Sequence, residues 1–262
     1  MNLGFEGKRV LVTGSNKGIG LAVARAFITE GARVAIHSSK LERSEKVAAE
    51  LGHDCLPLGA DLGSLAEIDA MFDHITKEWG TLDILVNNAA VMIRGELATF
   101  SMADWDRIHS VNLRGVFYCC QKALPLLRQS MAACIVNTSS NASNMPVYGA
   151  GVYAAAKGGI NTLTKALAGE WAPYGIRVNA YLPGFIPTDQ NLASRQAAGD
   201  ESVLTRSISL QRLGKPEEMA SVVLFLCSPL ASYITGELIV ANGGKLAIQN
   251  PWKGWVKNEN NS

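Results

Sequence analysis

The sequence predicts an α/β protein: one domain holding a doubly wound, seven-stranded parallel sheet with helices on both faces. Three observations predict it. Short apolar, β-branched runs alternate with longer segments whose apolar residues recur at helical spacing. The connections between them are short, as strand–helix–strand units require. A glycine turn, Gly14-Ser15-Asn16-Lys17-Gly18-Ile19-Gly20, separates the first strand from the first helix. The 262 residues are ample for one large core. A net charge of +1, from 24 Lys+Arg and 23 Asp+Glu, comes without any like-charge block, so neither nucleic acid nor a membrane surface is an expected partner. No apolar run approaches the roughly 20 residues of a spanning helix, and Met1 to Lys8 has no apolar leader segment. Cys55, Cys119, Cys120, Cys134 and Cys227 lack metal-ligand spacing, which predicts buried free thiols and a reducing cytoplasm. His37, His53, His74 and His109 form no ligand cluster, so no metal is expected.

Taken in order, Lys8 to Thr13 reads as a buried strand and Leu21 to Glu30 as the helix after the turn, ended by Gly31. In that context the glycines permit close backbone approach, and the helix N-terminus offers free N–H groups to a phosphate. Arg33 to His37 is the second strand. An acidic residue at its end would bind a ribose 2′-hydroxyl and repel a 2′-phosphate. Ser38, Ser39 and Lys40 stand there instead, with Lys17 nearby, which predicts NADP over NAD. His37 reads as a strand-end residue, not a catalyst. Leu41 to Leu51 is an amphipathic helix, and Cys55 to Leu58 is a strand closed by Ala60-Asp61-Leu62. Ser64 and Glu67 make a capping box for a helix to about Trp79. Leu82 to Val86 is the fourth strand, ending in Asn87-Asn88-Ala89-Ala90, whose small and amide side chains suit a nucleotide crevice.

Ala103 to Arg128 reads as one long helix with a kink at Pro125. Asn112 lies in its apolar part and needs partners there. Ala133 to Asn137 is the fifth strand, followed by Thr138-Ser139-Ser140, whose hydroxyls can polarise a carbonyl. Small and polar residues from Asn141 to Val152 form a loop, with Val147 and Tyr148 as candidate substrate contacts. Tyr153 and Lys157 sit one helical turn apart, on one face of a helix to about Tyr174. The ammonium is expected to lower the phenol's pKa from about 10 and make it a usable acid or base. Ile176 to Tyr181 and Glu237 to Val240 are the last two strands. Between them lie Pro183-Gly184-Phe185-Ile186-Pro187-Thr188, a lid over about 187–213, and a helix starting at Lys215-Pro216. The tail 245–262 carries Trp252 and Trp255, which fit either subunit packing or a loose terminus.

Thr13-Gly14, Gly18, Gly20, Asp61, Asn87-Asn88-Ala89-Ala90, Asn112, Ser140, Tyr153 and Lys157 together resemble the motif series of the short-chain dehydrogenase/reductase family, its 3-oxoacyl-carrier-protein-reductase-like branch. The resemblance runs from about Gly7 to Gly244 and departs at Ala90, where the family usually has Gly. It implies a Rossmann-type fold and a catalytic set of Asn112, Ser140, Tyr153 and Lys157. It also implies cofactor contacts by Gly14 to Gly20, Ser38 to Lys40, Asp61, Leu62, Asn88 to Ala90, Pro183, Gly184, Ile186 and Thr188, besides Tyr153 and Lys157. Ser140 stands at the family's spacing before Tyr153, which favours it over Ser139. The matching Asn holds a water linked to the lysine in a proton relay. The implied activity is hydride exchange between NADP(H) and a ketone or secondary alcohol, in a homotetramer. The alternatives are an NAD-dependent alcohol or sugar/polyol dehydrogenase and a non-catalytic NADPH-sensing regulator, against which the complete catalytic set argues.

Overall fold

A computed structural model of the protein describes residues 3–52, 55–188 and 201–248. Its strands are β1 (Arg9–Val12), β2 (Arg33–Ser38), β3 (Leu56–Gly59), β4 (Ile84–Asn87), β5 (Cys134–Thr138), β6 (Arg177–Pro183) and β7 (Leu238–Ala241). All pair in parallel, in the order β3-β2-β1-β4-β5-β6-β7. The helices are α1 (Gly18–Thr29), α2 (Leu41–Leu51), α3 (Leu65–Trp79), α4 (Met102–His109), α5 (Val116–Leu127), α6 (Gly151–Trp171), the short α7 (Glu201–Thr205) and α8 (Pro216–Cys227).

Successive strand residues point to opposite faces, and here both faces are apolar. Leu11, Leu85, Ile135 and Val178 meet α3, α5 and α6 through Ile68, Phe72, Ala123 and Ile160. Val10, Val34, Val86 and Val136 meet α1 and α8 through Val23, Phe27, Val223 and Leu226. Burial on both sides explains why the strands read as continuous apolar runs. The chain winds outward from β1 to β3, then returns to lay β4 on the other side of β1. Crossovers leave in opposite directions at that switch, so a crevice opens above the strand ends.

The helix expected from Ala103 to Arg128 runs without a gap from Met102 to Leu127. A π-helical segment, Ser110–Gly115, separates α4 from α5. Within that segment Asn112 turns inward and pairs with the backbone of Val91. Gly115 also passes so close to β3's outgoing chain that a Cβ would lie 2.3 Å from the Leu62 carbonyl. Pro125 lies in the last turn of α5, where its lost N–H removes a single intrahelical bond. The helix bearing Tyr153 starts at Gly151, ends at Trp171 and tightens into a 3₁₀ turn, Ala172–Tyr174. The capping box forms by half: Ser64 Oγ accepts from the Glu67 amide (3.4 Å), while Glu67 reaches back to the Asp61 amide (2.8 Å). All five cysteines are free thiols, four of them buried. Among the described residues, no helix is long and apolar enough to cross a membrane. Residues 189–200 of the expected lid and 249–262 of the tail, including Trp252 and Trp255, lie outside the described residues.

Candidate active site

The C-terminal ends of the central strands open onto one cleft of about 410 Å³. Its walls hold Gly14, Asn16, Lys17, Gly18, Ile19 and Gly20 from the turn, Ser38 and Ser39 from β2, and Asp61 and Leu62 after β3. Asn88, Ala89 and Ala90 follow β4, and Tyr153, Lys157, Pro183 and Thr188 complete the wall. Four predicted contacts stand elsewhere. Ser15 is fully buried beneath the turn, its Oγ donating to the Val12 carbonyl (2.8 Å) and accepting from the His37 amide (2.9 Å). Lys40 is exposed at the start of α2, outside the wall, with its amide on Ser38 Oγ (3.2 Å). Gly184 and Ile186 face a second pocket.

The turn is held from three sides. Gly14 and Gly18 have φ of 66° and 55°, a region that excludes most side chains. A Cβ on Gly20 would stand 2.3 Å from the Gly14 carbonyl and 2.5 Å from Asn88 Nδ2. The Asn88 amide donates to the carbonyls of Thr13 (2.9 Å) and Gly14 (3.2 Å), so it braces the turn. The Gly14 N–H donates to His37 Nδ1 (3.0 Å), and the opposite ring nitrogen, protonated in that tautomer, donates to the Ala60 carbonyl (3.0 Å). Burial holds His37 down to about 4, against smaller upward pulls from the Ala60 bond and the Asp61 charge. No side chain caps α1 at Lys17, and no acidic residue lies in its first turn, leaving N–H groups free for an anion. A dinucleotide's pyrophosphate fits this cradle.

Two wall residues carry no mark in the sequence. Arg43, early in α2, lines the cleft, as do Ser38 and Ser39. Arg107 grips Asp61 through Nη1, at 2.9 and 2.8 Å. Burial tends to raise the Asp61 carboxyl, but the Arg107 guanidinium, the Gly63 amide and the Lys40 charge outweigh it and hold it below its ordinary value. The two partners are 46 residues apart, so spacing could not have shown the pair.

Tyr153 and Lys157 leave one face of α6, and the ammonium lies 5.7 Å from the phenol ring centre. The expected lowering of the phenol's pKa is not what this arrangement produces. Burial pushes Tyr153 up to about 12, against a smaller opposite pull from a hydrogen bond with Ser140. Lys157 donates to the Thr138 carbonyl (2.6 Å), and burial brings it down to about 8. Both groups are deprived of water, which disfavours the charged form of each. Ser140 Oγ accepts from the Ala142 amide (3.1 Å) and faces the second pocket. Ser139 is a structural hydroxyl, buried against Asn161 Oδ1 (2.6 Å) and the Lys157 carbonyl (3.2 Å). Asn112 is fully buried, its amide donating to the Val91 carbonyl (2.7 Å) and accepting from the Val91 amide (2.8 Å). Its side chain is thereby pinned to the Val91 backbone from within the π-helical segment.

The second pocket, about 360 Å³, adjoins the cleft and shares Ile19, Tyr153, Pro183 and Thr188 with it. Val147 lines it as expected. Tyr148 does not; it is 83 % exposed and its hydroxyl donates to Glu96 (2.9 Å).

A reversing parallel sheet, a glycine turn under a helix N-terminus and a buried Tyr–Lys pair between two pockets define a dinucleotide-binding oxidoreductase. The family model described as enoyl-(acyl carrier protein) reductase matches residues 14–245, and the chain belongs to the short-chain dehydrogenase/reductase family. It is 38% identical over 241 residues to the 3-oxoacyl-(acyl-carrier-protein) reductase FabG of Staphylococcus aureus (strain Mu50), covering 90% of this chain and 97% of that one. It is 36% identical over 244 residues to the meso-2,3-butanediol dehydrogenase of Serratia marcescens, covering 93% and 96%. The solved gluconate 5-dehydrogenase of Burkholderia cenocepacia, in complex with NADP and tartrate, superposes with a TM-score of 0.88 at 30% identity, covering 94% and 98%.

Proposed function

We propose that the protein reduces a ketone to a secondary alcohol, and runs the reverse reaction, with NADP(H). One observation carries this reading: Tyr153 lines both the strand-end cleft and the second pocket. Of the shared wall residues it alone bears a titratable proton. NADPH, when bound, supplies hydride to the carbonyl carbon. The chain supplies the rest. Ser140 donates a hydrogen bond to the carbonyl oxygen as charge grows there. Tyr153 delivers the proton that completes the alcohol. With its pKa at about 12, the phenol is protonated throughout the neutral range, the state that reduction needs. Lys157, fixed on Thr138, presents its ammonium beside the phenol and toward the ribose region. The turn and the α1 N-terminus would hold the pyrophosphate, and Ile186 and Thr188 the nicotinamide side.

NADP is favoured over NAD because two hydroxyls, Ser38 and Ser39, and two cations, Lys17 and Arg43, line the cleft, and no acidic residue stands at the end of β2. The carboxylate of Asp61 on that wall is occupied by Arg107. The solved relative's NADP agrees with this choice. The names of the relatives share carbonyl–alcohol exchange and differ in substrate. We also propose a homotetramer, supported by exposed Trp105 and Phe117 on α4 and α5 and testable by mass in solution.

The test is Tyr153→Phe. General acid catalysis is typically worth 10²–10⁴-fold, so kcat should fall at least about a hundredfold while NADPH affinity stays near wild type. An active Phe variant overturns the mechanism. A tenfold kcat/KM preference for NAD would overturn the cofactor assignment alone.

A further inference from the structure

We propose that the second pocket is an anion subsite, so that the substrate is a small ketone bearing a carboxylate or phosphate held by Lys245 and Arg94. This rests on the reading of Tyr153 as the acid beside that pocket. The described walls carry these two cationic side chains and no Asp or Glu. Their neutral polar groups are Ser140, Asn141, Tyr153, Thr188 and Ser207, with apolar surface from Met92, Val147 and Leu204.

Lys245 is the stronger of the two. Its ammonium is partly buried and donates to Ser207 Oγ at 2.7 Å, a neutral partner, and among the described residues no carboxylate pairs with it. Burial accordingly lowers its pKa. An anion bound there would offset that desolvation cost. The position is built into the fold. Ser209 Oγ donates to the Gly244 carbonyl (2.9 Å), and the Leu210 amide donates to the Gly243 carbonyl (3.0 Å). The chain carrying Lys245 is therefore bonded to the chain carrying Ser207. Arg94 approaches from the loop after β4, donating to the Tyr148 carbonyl at 3.4 Å. Its planar fork suits oxyanions. Glu96, on the same loop, accepts from the Tyr148 hydroxyl and lies outside the pocket wall.

The experiment is NADPH oxidation with matched ketones: a keto acid, its methyl ester and a phosphorylated ketone of similar length. Wild type, Lys245→Met and Lys245→Arg are compared. A hydrogen bond to a charged group is worth roughly 1.5–3 kcal/mol. The keto acid or ketone phosphate should therefore exceed the ester by about tenfold or more in kcat/KM, and whichever anion wins identifies the group. Lys245→Met should raise KM for that substrate about tenfold more than for the ester, and Lys245→Arg should restore most of the difference. Equal use of acid, phosphate and ester, or equal losses in Lys245→Met, would overturn the subsite and leave the reductase intact. If no ketone is reduced, the reductase reading fails instead. Calorimetric titration of the keto acid and of the phosphorylated ketone into the wild type and Lys245→Met, with NADPH present, then decides the subsite alone. Binding weakened by the substitution supports it, and the absence of binding or equal affinity refutes it.

Discussion

The two pockets that meet at Tyr153 are built in different ways. The strand-end cleft is made largely of backbone: glycines with positive φ, a helix N-terminus and carbonyls braced by Asn88 and His37. The second pocket is made of side chains from loops, the end of the lid and the start of the tail. Backbone cradles recognise what many ligands share, a phosphate or a ribose, and tolerate little variation. Side-chain pockets recognise what is particular to one substrate and can change residue by residue. The relatives fit this division: a common fold, with acyl, diol and sugar-acid names.

Substitutions can break or sharpen that contrast. The largest effect should come from Gly20→Val. Its Cβ would meet backbone at 2.3 Å, and such overpacking typically costs 1–3 kcal/mol or more. Thermal unfolding should shift down, and NADPH binding by calorimetry should weaken severely; an unchanged Tm would show that the turn is not rigid. Next is His37→Gln, read as a change in pH dependence. The folded state holds His37 at about 4, against 6.5 for the free side chain. Between those values the unfolded chain binds the extra proton, so wild-type stability is complete above about pH 6.5 and falls as pH drops toward 4. The size is roughly 3 kcal/mol. Urea unfolding at pH 7 and pH 4.5 should show that loss reduced in the variant; an identical pH slope would remove His37 as its source.

A smaller effect belongs to Arg43→Ala. NADPH kcat/KM should fall about tenfold, near 1.4 kcal/mol, while NADH use stays level; a parallel loss with both cofactors would refute a 2′-phosphate role. The smallest belongs to Val147→Ala in the second pocket. A few-fold change in ketone KM, with NADPH affinity unaltered, would separate the two pockets, whereas a change in both would merge them.

This division also governs what was legible in the sequence. Strand periodicity and the glycine spacing revealed the sheet, the turn and the Tyr153–Lys157 face, because these depend on near neighbours in the chain. Asn112, Arg107 and Lys245 depend on partners distant in sequence, and spacing carries no trace of them. The helical run over 103–128 was legible, but the π-helical turn at 110–115 was not, because Asn112's partner, the Val91 backbone, lies on another segment. The pKa expectation for Tyr153 went astray for a related reason. Adjacency of charge can be counted along a helix, while exclusion of water needs the whole fold.

His37 joins the glycine turn, the end of β2 and the chain leaving β3 with one ring. Any effort to exchange the nucleotide preference by rewriting residues 38–43 therefore works one position away from a rivet. Substitutions there that tilt the imidazole would loosen the pyrophosphate seat together with the ribose seat, and a specificity switch would arrive as a general loss of affinity. Designs that keep residue 37 and its two hydrogen bonds fixed should keep these outcomes apart.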